Sequence, residues 1–296
     1  MLIYILMFCL LSLKMNEFYI QIVLLLLSIF LCVNNKTLAI EFAPNIYIKP
    51  KPKKYYPNSE VIYERNKHLL HTDPREFKKA SRFMLEALTQ LKYHATSKED
   101  YILYGRNSVY YMFFYKKKHR GYTNVKKIEY IIGNPNKYND IVNMLWNPNC
   151  NNFFYLGSVK RKIVRVYSPN LVMIQQRSKK WPWSYRKYFY AIAAKFEISE
   201  NKTIIVMASG NINDHNRKNK KYFENTIVES ANLFEAEIDS EDDIKNGKLK
   251  KMFVNLNGYI IEKKKDHVYI IYVKLINMVP FNKNALSKIF RLFFSS

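Results

Sequence analysis

The sequence predicts an α+β domain, in which a long antiparallel sheet grips a C-terminal amphipathic helix; three observations carry that prediction. Apolar residues recur at helical spacing from Phe77 to Leu91 and then switch to a period of two in the segments that follow. Short turns rich in Gly, Asn, Ser and Pro separate the period-two segments, so that successive strands return antiparallel. The order is helix, strands, helix, many strands, helix. A sheet of that extent needs its inner face covered, and the last helix is the economical cover.

Bulk properties bound the function. With 296 residues and 48% hydrophobic side chains, the chain has ample material for one sizeable core. A formal net charge of +24 favours anionic partners such as acidic lipid headgroups or nucleic acid. A second reading of that charge stays open: Lys, Asn, Ile and Tyr are abundant throughout, as a composition bias alone would produce. No arginine-rich or aromatic-interleaved patch marks a nucleic-acid surface, so no nucleic-acid partner is expected. Of the three cysteines, Cys9 and Cys32 lie in apolar N-terminal stretches, which leaves Cys150 to build neither a disulfide framework nor a zinc site. No metal and no cofactor are expected.

Residues 1–39 read as a targeting segment. Phe18 to Val33 is an apolar run after Lys14, followed by Asn34-Asn35-Lys36 and a small-residue cleavage region at Ala39. An earlier apolar run, Met1 to Leu13, precedes it, and Met15 serves equally well as a start. Cleavage as a signal peptide and retention as a membrane anchor both remain open. Residues 40–58 form an extended linker carrying Pro44, Pro50, Pro52 and Pro57 among lysines, and residues 59–296 form the domain.

Ser59 is placed to cap a short helix presenting Ile62, Leu69 and Leu70. Asp73-Pro74-Arg75-Glu76 supplies a cap, a proline at the first helical position and a carboxylate at the third; Phe77, Ala80, Met84, Leu88 and Leu91 follow on one stripe. Val109 to Tyr115 and Val125 to Ile132 read as a hairpin turning at Gly121. Asn134-Pro135 opens a second helix with Tyr138, Ile141, Val142 and Leu145 on one face, ending before Asn147-Pro148. Strands are predicted at Val159 to Tyr167, Leu171 to Arg177, Tyr185 to Ile198 and Thr203 to Asn211. A polar, charge-segregated insertion at about 213–251 reads as a long surface loop. Strands resume at Met252 to Glu262 and His267 to Ile276, and Pro280 introduces the last helix, with Leu286, Ile289, Phe290 and Phe293 on one face.

Enzymatic chemistry finds no foothold. The chain has no Gly-x-Ser-x-Gly elbow and no His-Glu-x-x-His pair, and its seven glycines form no phosphate-binding loop. Asp214-His215 sits in the polar insertion, where a solvated pair is the default. The acidic run Asp239 to Asp243 lacks the alternating spacing of a calcium loop and reads as a solvated face.

From Met15 to about Ile276 the sequence resembles the malaria-parasite Fam-a proteins, a family carrying a START-related lipid-transfer domain. The residues that carry the resemblance are Met15 to Val23, Asn66-Lys67-His68-Leu69-Leu70 and Asn134-Pro135-Asn136-Lys137-Tyr138 running to Met144-Leu145-Trp146. Others are Gly157 to Tyr167, Trp181-Pro182-Trp183 and Ile238 to Ile244. Two positions depart from the START pattern: Lys187 stands where an acidic residue often follows the arginine, and Asn277-Met278 where Asp-Gly often follows the last strand. The resemblance implies a START-like helix-grip fold with a tunnel for one phospholipid, plausibly phosphatidylcholine, and the C-terminal helix as its lid. It also implies a monomer that touches membranes transiently, and export toward the host cell or parasitophorous vacuole.

Candidate site residues follow from this expectation. Strand alternation puts Arg161 and Arg165 on one face with Ile163 and Tyr167; facing inward they would meet a lipid phosphate, facing outward they would lie in solvent while Val164 and Val166 pack. Arg186, after Trp181-Pro182-Trp183-Ser184-Tyr185, is a further lipid-binding candidate. Trp181 and Trp183 beside Lys179 and Lys180 suit docking on an anionic membrane, or packing under the lid. Pro280, Leu286, Ile289 and Phe290 are candidates for lid and gate, or for plain core.

Overall fold

The chain divides into two units, residues 1–53 and 54–296. A computed structural model describes residues 56–109, 111–119, 123–150, 158–179, 185–219 and 223–276, all within the second unit. The N-terminal apolar runs, most of the linker, Lys180, Trp181 and Trp183, and the lid candidates Pro280, Leu286, Ile289 and Phe290 lie outside the described residues. Among those described, no helix is long and apolar enough to cross a membrane.

Helix α1 (Ser59–Arg65) starts one residue earlier than expected: the Asn58 side chain, not Ser59, caps it and accepts from Val61 N at 3.0 Å. Helix α2 (Pro74–Thr96) begins as predicted. Asp73 Oδ1 accepts from Arg75 N at 2.9 Å, and Pro74 occupies a position whose missing N–H costs nothing. Its buried stripe is Ala80, Phe83, Met84, Ala87, Leu88, Leu91 and Ala95, whereas Phe77, assigned to the stripe by spacing, is 41% exposed.

The sheet is antiparallel along its length, as expected. Its strands are β1 (Ile102–Asn107), β2 (Met112–His119), β3 (Thr123–Ile132), β4 (Ser158–Ser168), β5 (Leu171–Lys179), β6 (Lys187–Ser199) and β7 (Lys202–Ala208). After a short parallel pair, β8 (Asn211–Asn213) with β9 (Glu235–Glu237), come β10 (Lys250–Lys251), β11 (Val254–Lys263) and β12 (Val268–Ile276). The spatial order is β1-β2-β3-β12-β11-β7-β6-β5-β4, with β10 added in parallel beside β6. Strand β1 has no counterpart in the sequence reading. It is an edge strand with no buried residue, so no alternating apolar pattern announces it.

Helix α2 packs on one face of the sheet. On the other lies α3 (Tyr138–Trp146), preceded by a 3-10 turn (Pro135–Lys137) capped by Asn134, whose side chain accepts from Asn136 N at 3.0 Å; α3 is tied to β7 by Tyr138 Oη and Thr203 Oγ1 at 2.8 Å. Gly258 permits the close approach of α2. A Cβ there would stand 2.6 Å from Leu91 Cδ2 and would collide with the Ile205 carbonyl.

The insertion differs from its expectation as a solvated loop. Ile227, Val228, Ala231, Phe234, Ile238, Ile244 and Leu249 pack into the same buried cluster as α2. Asn225, 1% exposed, organises it: its Oδ1 accepts from Ile227 N and Val228 N, and its Nδ2 donates to the Asn255 carbonyl. The Glu86 carboxylate on α2 accepts from Glu229 N and Ser230 N, so helix and insertion form one layer. The acidic run is part of that docking. Arg177 on β5 pairs with Asp243 at 2.7 Å and Glu241 at 2.9 Å; Lys162 and Gln175, working against burial, hold Glu241 down to about 2. Asp214 is likewise buried and not solvated, bound by Lys251 Nζ at 2.9 Å and by Tyr188 Oη at 2.8 Å.

Candidate functional site

Strand β4 decides where the predicted ligand contacts go. Its pairing with β5 runs Arg161 with Gln176 and Ile163 with Ile174, then skips to Arg165 with Met173. Residue 164 is therefore extra, a β-bulge that resets the alternation. Arg161 and Ile163 face α3, while Arg165 and Tyr167 face α2; the expectation that all four share a face is overturned by this one residue. Arg165 Nη1 donates to Glu76 Oε1 at 2.5 Å and Nη2 to the Glu237 carbonyl at 2.6 Å, and Tyr167 Oη donates to the same Glu76 oxygen. These two residues fasten the first turn of α2 and the insertion to the sheet. Arg186 also stays away from the α3 face: it is exposed ahead of β6, its carbonyl accepting from Lys250 N. Lys179 ends β5, half-buried, opposite Ser158.

Arg161 alone of the four lipid-binding candidates reaches a cup between α3 and the sheet. Leu145, Trp146 and Pro148 roof it, and Ile163, Val172, Ile174, Ala193, Ile205 and Met207 from four strands floor it. Arg161 donates through Nε and Nη2 to Gln176 Oε1 at 3.2 and 3.0 Å, which steers the guanidinium along the rim. Two donors here are buried with no hydrogen-bond partner among the described residues, Trp146 Nε1 and Gln176 Nε2, so the cup has polar capacity to spare beside an apolar floor. The expected tunnel is narrow where described. The cup encloses ≈ 20 Å³, room for about one water, against the ~300–1,000 Å³ of a ligand-filled pocket. A wider cleft of ≈ 1020 Å³ opens on the α2 side, but its walls include the Asp214–Lys251 and His215–Glu237 pairs and suit water, not an acyl chain.

The sequence reading missed a second feature of the α3 face. One register line crosses eight strands: Lys116 on β2, Lys126 on β3, Lys274 on β12, Asn257 on β11, Met207 on β7, Ala193 on β6, Val172 on β5 and Val166 on β4. Directly paired residues project to the same side, so the line is a strip with three lysines at one end and the cup floor at the other. Exposure falls along it, from exposed Lys116 through half-buried Lys126 to Lys274 at 3%. Burial, and then the neighbouring Lys126, depress Lys274 to about 7; burial, and then Lys116, also lower Lys126. The stacked rings of Tyr259 and Tyr272, 4.6 Å apart, flank the strip. A signal was present in the sequence: each lysine continues an apolar alternation, as in Met112-x-Phe114-x-Lys116, Lys126-x-Ile128-x-Tyr130 and Ile270-x-Tyr272-x-Lys274.

No protein-family model matches the chain, and no curated protein matches it. Solved structures similar to it include human STARD10, at 8% identity with a TM-score of 0.45, covering 70% of this chain and 73% of that one. Human StAR-related lipid transfer protein 5 is similar at 9% identity and a TM-score of 0.46, covering 74% of this chain and 93% of that one. A STAR-related lipid transfer protein from Xanthomonas axonopodis is similar at 8% identity and 0.40, covering 66% and 91%.

Proposed function

We propose that the chain binds a lipid on the α3 face and carries it between membranes, as a START-like carrier and not an enzyme. The observation that supports this is the cup: an apolar floor from four strands, an indole roof, and Arg161 with the spare donors of Gln176 and Trp146 at the rim. An acyl chain takes the floor, and an ester or phosphate oxygen takes the donors. Because the cup encloses only ≈ 20 Å³, loading includes its opening between α3 and the sheet. Phosphatidylcholine, implied by the Fam-a resemblance, is the reference ligand. Secretion or anchoring through residues 1–39, export toward the host cell, monomeric action and docking through Trp181, Trp183, Lys179 and Lys180 belong to the same proposal. Transfer of labelled phospholipid between donor and acceptor vesicles tests it: the full chain accelerates transfer above the vesicle-only rate, and an unchanged rate contradicts it.

One observation favours a second reading. A cup with space for about one water suits an exported or surface interaction protein that keeps the fold without carrier activity. In that case no lipid co-purifies and no transfer is seen.

A further inference from the structure

We propose that the outer face of α2 is a membrane-docking surface, by which the domain lies against a bilayer containing acidic phospholipids. The inference goes beyond the carrier function proposed above and stands whether or not the cup takes a lipid.

Helix α2 divides its charges by sign. It carries two carboxylates, and both are used inside the fold: Glu76 accepts from Arg165 and Tyr167, and Glu86 accepts from Glu229 N and Ser230 N. Its five cations, Arg75, Lys78, Lys79, Arg82 and Lys92, are all exposed, and no exposed residue of the helix is acidic. Arg75 leans toward Asp73 at 3.6 Å, which leaves four cations facing outward. Lys78, Arg82, Leu85, Thr89, Lys92 and Thr96 recur at alternating spacings of four and three, so they form one exposed stripe opposite the buried one.

A row of like charges on a rod repels itself, and a plane of anionic headgroups relieves that repulsion along the whole row. Lys78 to Lys92 covers about 21 Å of helix at ~1.5 Å per residue, too long for one small anion and suited to a surface of repeating charge. The apolar side chains choose among such surfaces. Leu85, 56% exposed, sits at the centre of the stripe, with exposed Tyr93 and Phe77 toward the two ends of the helix. Leu233, 72% exposed, stands on the turn Glu229–Leu233 that Glu86 anchors. A phosphate backbone has no use for a leucine in the middle of its contact, whereas the interfacial layer of a bilayer takes leucine and tyrosine alike. Exposed Glu229 on that turn sets one negative charge against the four positive ones.

The test is co-sedimentation of the full chain with phosphatidylcholine vesicles, with and without phosphatidylserine. It is repeated in two triple variants: K78Q, R82Q and K92Q combined, and K263Q, K264Q and K265Q combined, which removes the same charge from exposed lysines where β11 turns into β12. All six side chains are exposed, so a thermal midpoint equal to that of wild type is expected and shows that each variant is folded. Wild type should prefer the phosphatidylserine vesicles, and salt should weaken that preference. The α2 triple variant should lose about 100-fold in binding to them, at roughly fivefold per cation near the surface, and the control triple variant less than about tenfold. Leu85→Ser should weaken vesicle binding without changing its salt dependence. Equal losses in the two triple variants would overturn the proposal, since net charge and not this face would then carry the attraction. No preference for phosphatidylserine, or tighter binding to duplex DNA than to the vesicles, would also overturn it.

Discussion

On the α2 side of the sheet cations meet carboxylates: Arg165 on Glu76, Arg177 on Asp243 and Glu241, Lys251 on Asp214. On the α3 side three lysines stand next to one another, beside a floor of Ile, Val, Ala and Met. Both surfaces belong to the same strands and differ only in which of two alternating sets of side chains they display. A face whose charges are matched within the chain is complete, and its residues hold the fold together. The α3 face carries the apolar floor on which the proposed lipid is placed.

The sharpest way to break this contrast is to remove a matched charge. Asp214→Ala leaves Lys251, 9% exposed, buried beside Tyr188 without its carboxylate, and should cost about 3–5 kcal/mol in urea-induced unfolding. A loss below ~1 kcal/mol would mean that the α2 side is not fastened by its ion pairs. Next comes the packing of α2 itself. Gly258→Ala drives a methyl against Leu91 and the Ile205 carbonyl and should cost about 1–3 kcal/mol, read as a lower midpoint with an unchanged denaturant slope.

The α2 face also has a pH signature. Burial, then His119 and Lys117, lower His94 to about 4, so the folded chain keeps it neutral while the unfolded chain protonates it near 6.5. Between those values the unfolded state binds more protons, and stability falls as pH drops from about 6.5 through 4. His94→Gln should flatten that part of the stability curve. On the opposite face Lys274, depressed to about 7, makes stability rise with pH from 7 toward the unfolded lysine value near 10.4. Lys274→Met should remove that rise. A rise that persists in the variant would show that another group carries it. The smallest effect belongs to the exposed pair Lys67–Glu64, where Glu64→Gln should change the midpoint by less than ~0.5 kcal/mol.

Much of the scaffold was legible from the sequence because it rests on local signals. Asp73-Pro74 starts α2, Asn134-Pro135 starts the 3-10 turn that leads into α3, and period-two runs mark β3, β5, β6, β7, β11 and β12. The losses are equally physical. An edge strand with no buried side chain, β1, has no pattern to detect. The bulge at residue 164 leaves no local mark either, yet it moves Arg165 and Tyr167 to the opposite face from Arg161. Polar composition hid the docking of 213–251, whose Ile, Val, Leu and Phe side chains are spaced irregularly among charges and bury only against α2 and the sheet. The lysine strip needs pairing between strands far apart in sequence, since Lys274 meets Lys126 across 148 residues; single-strand alternation places each lysine on an apolar face but not beside the others.

The most direct test is native mass spectrometry of the full chain after incubation with mixed vesicles containing phosphatidylcholine and phosphatidic acid. A population heavier by the mass of one lipid is what the proposed carrier function predicts. Bare protein alone at every lipid concentration would contradict it.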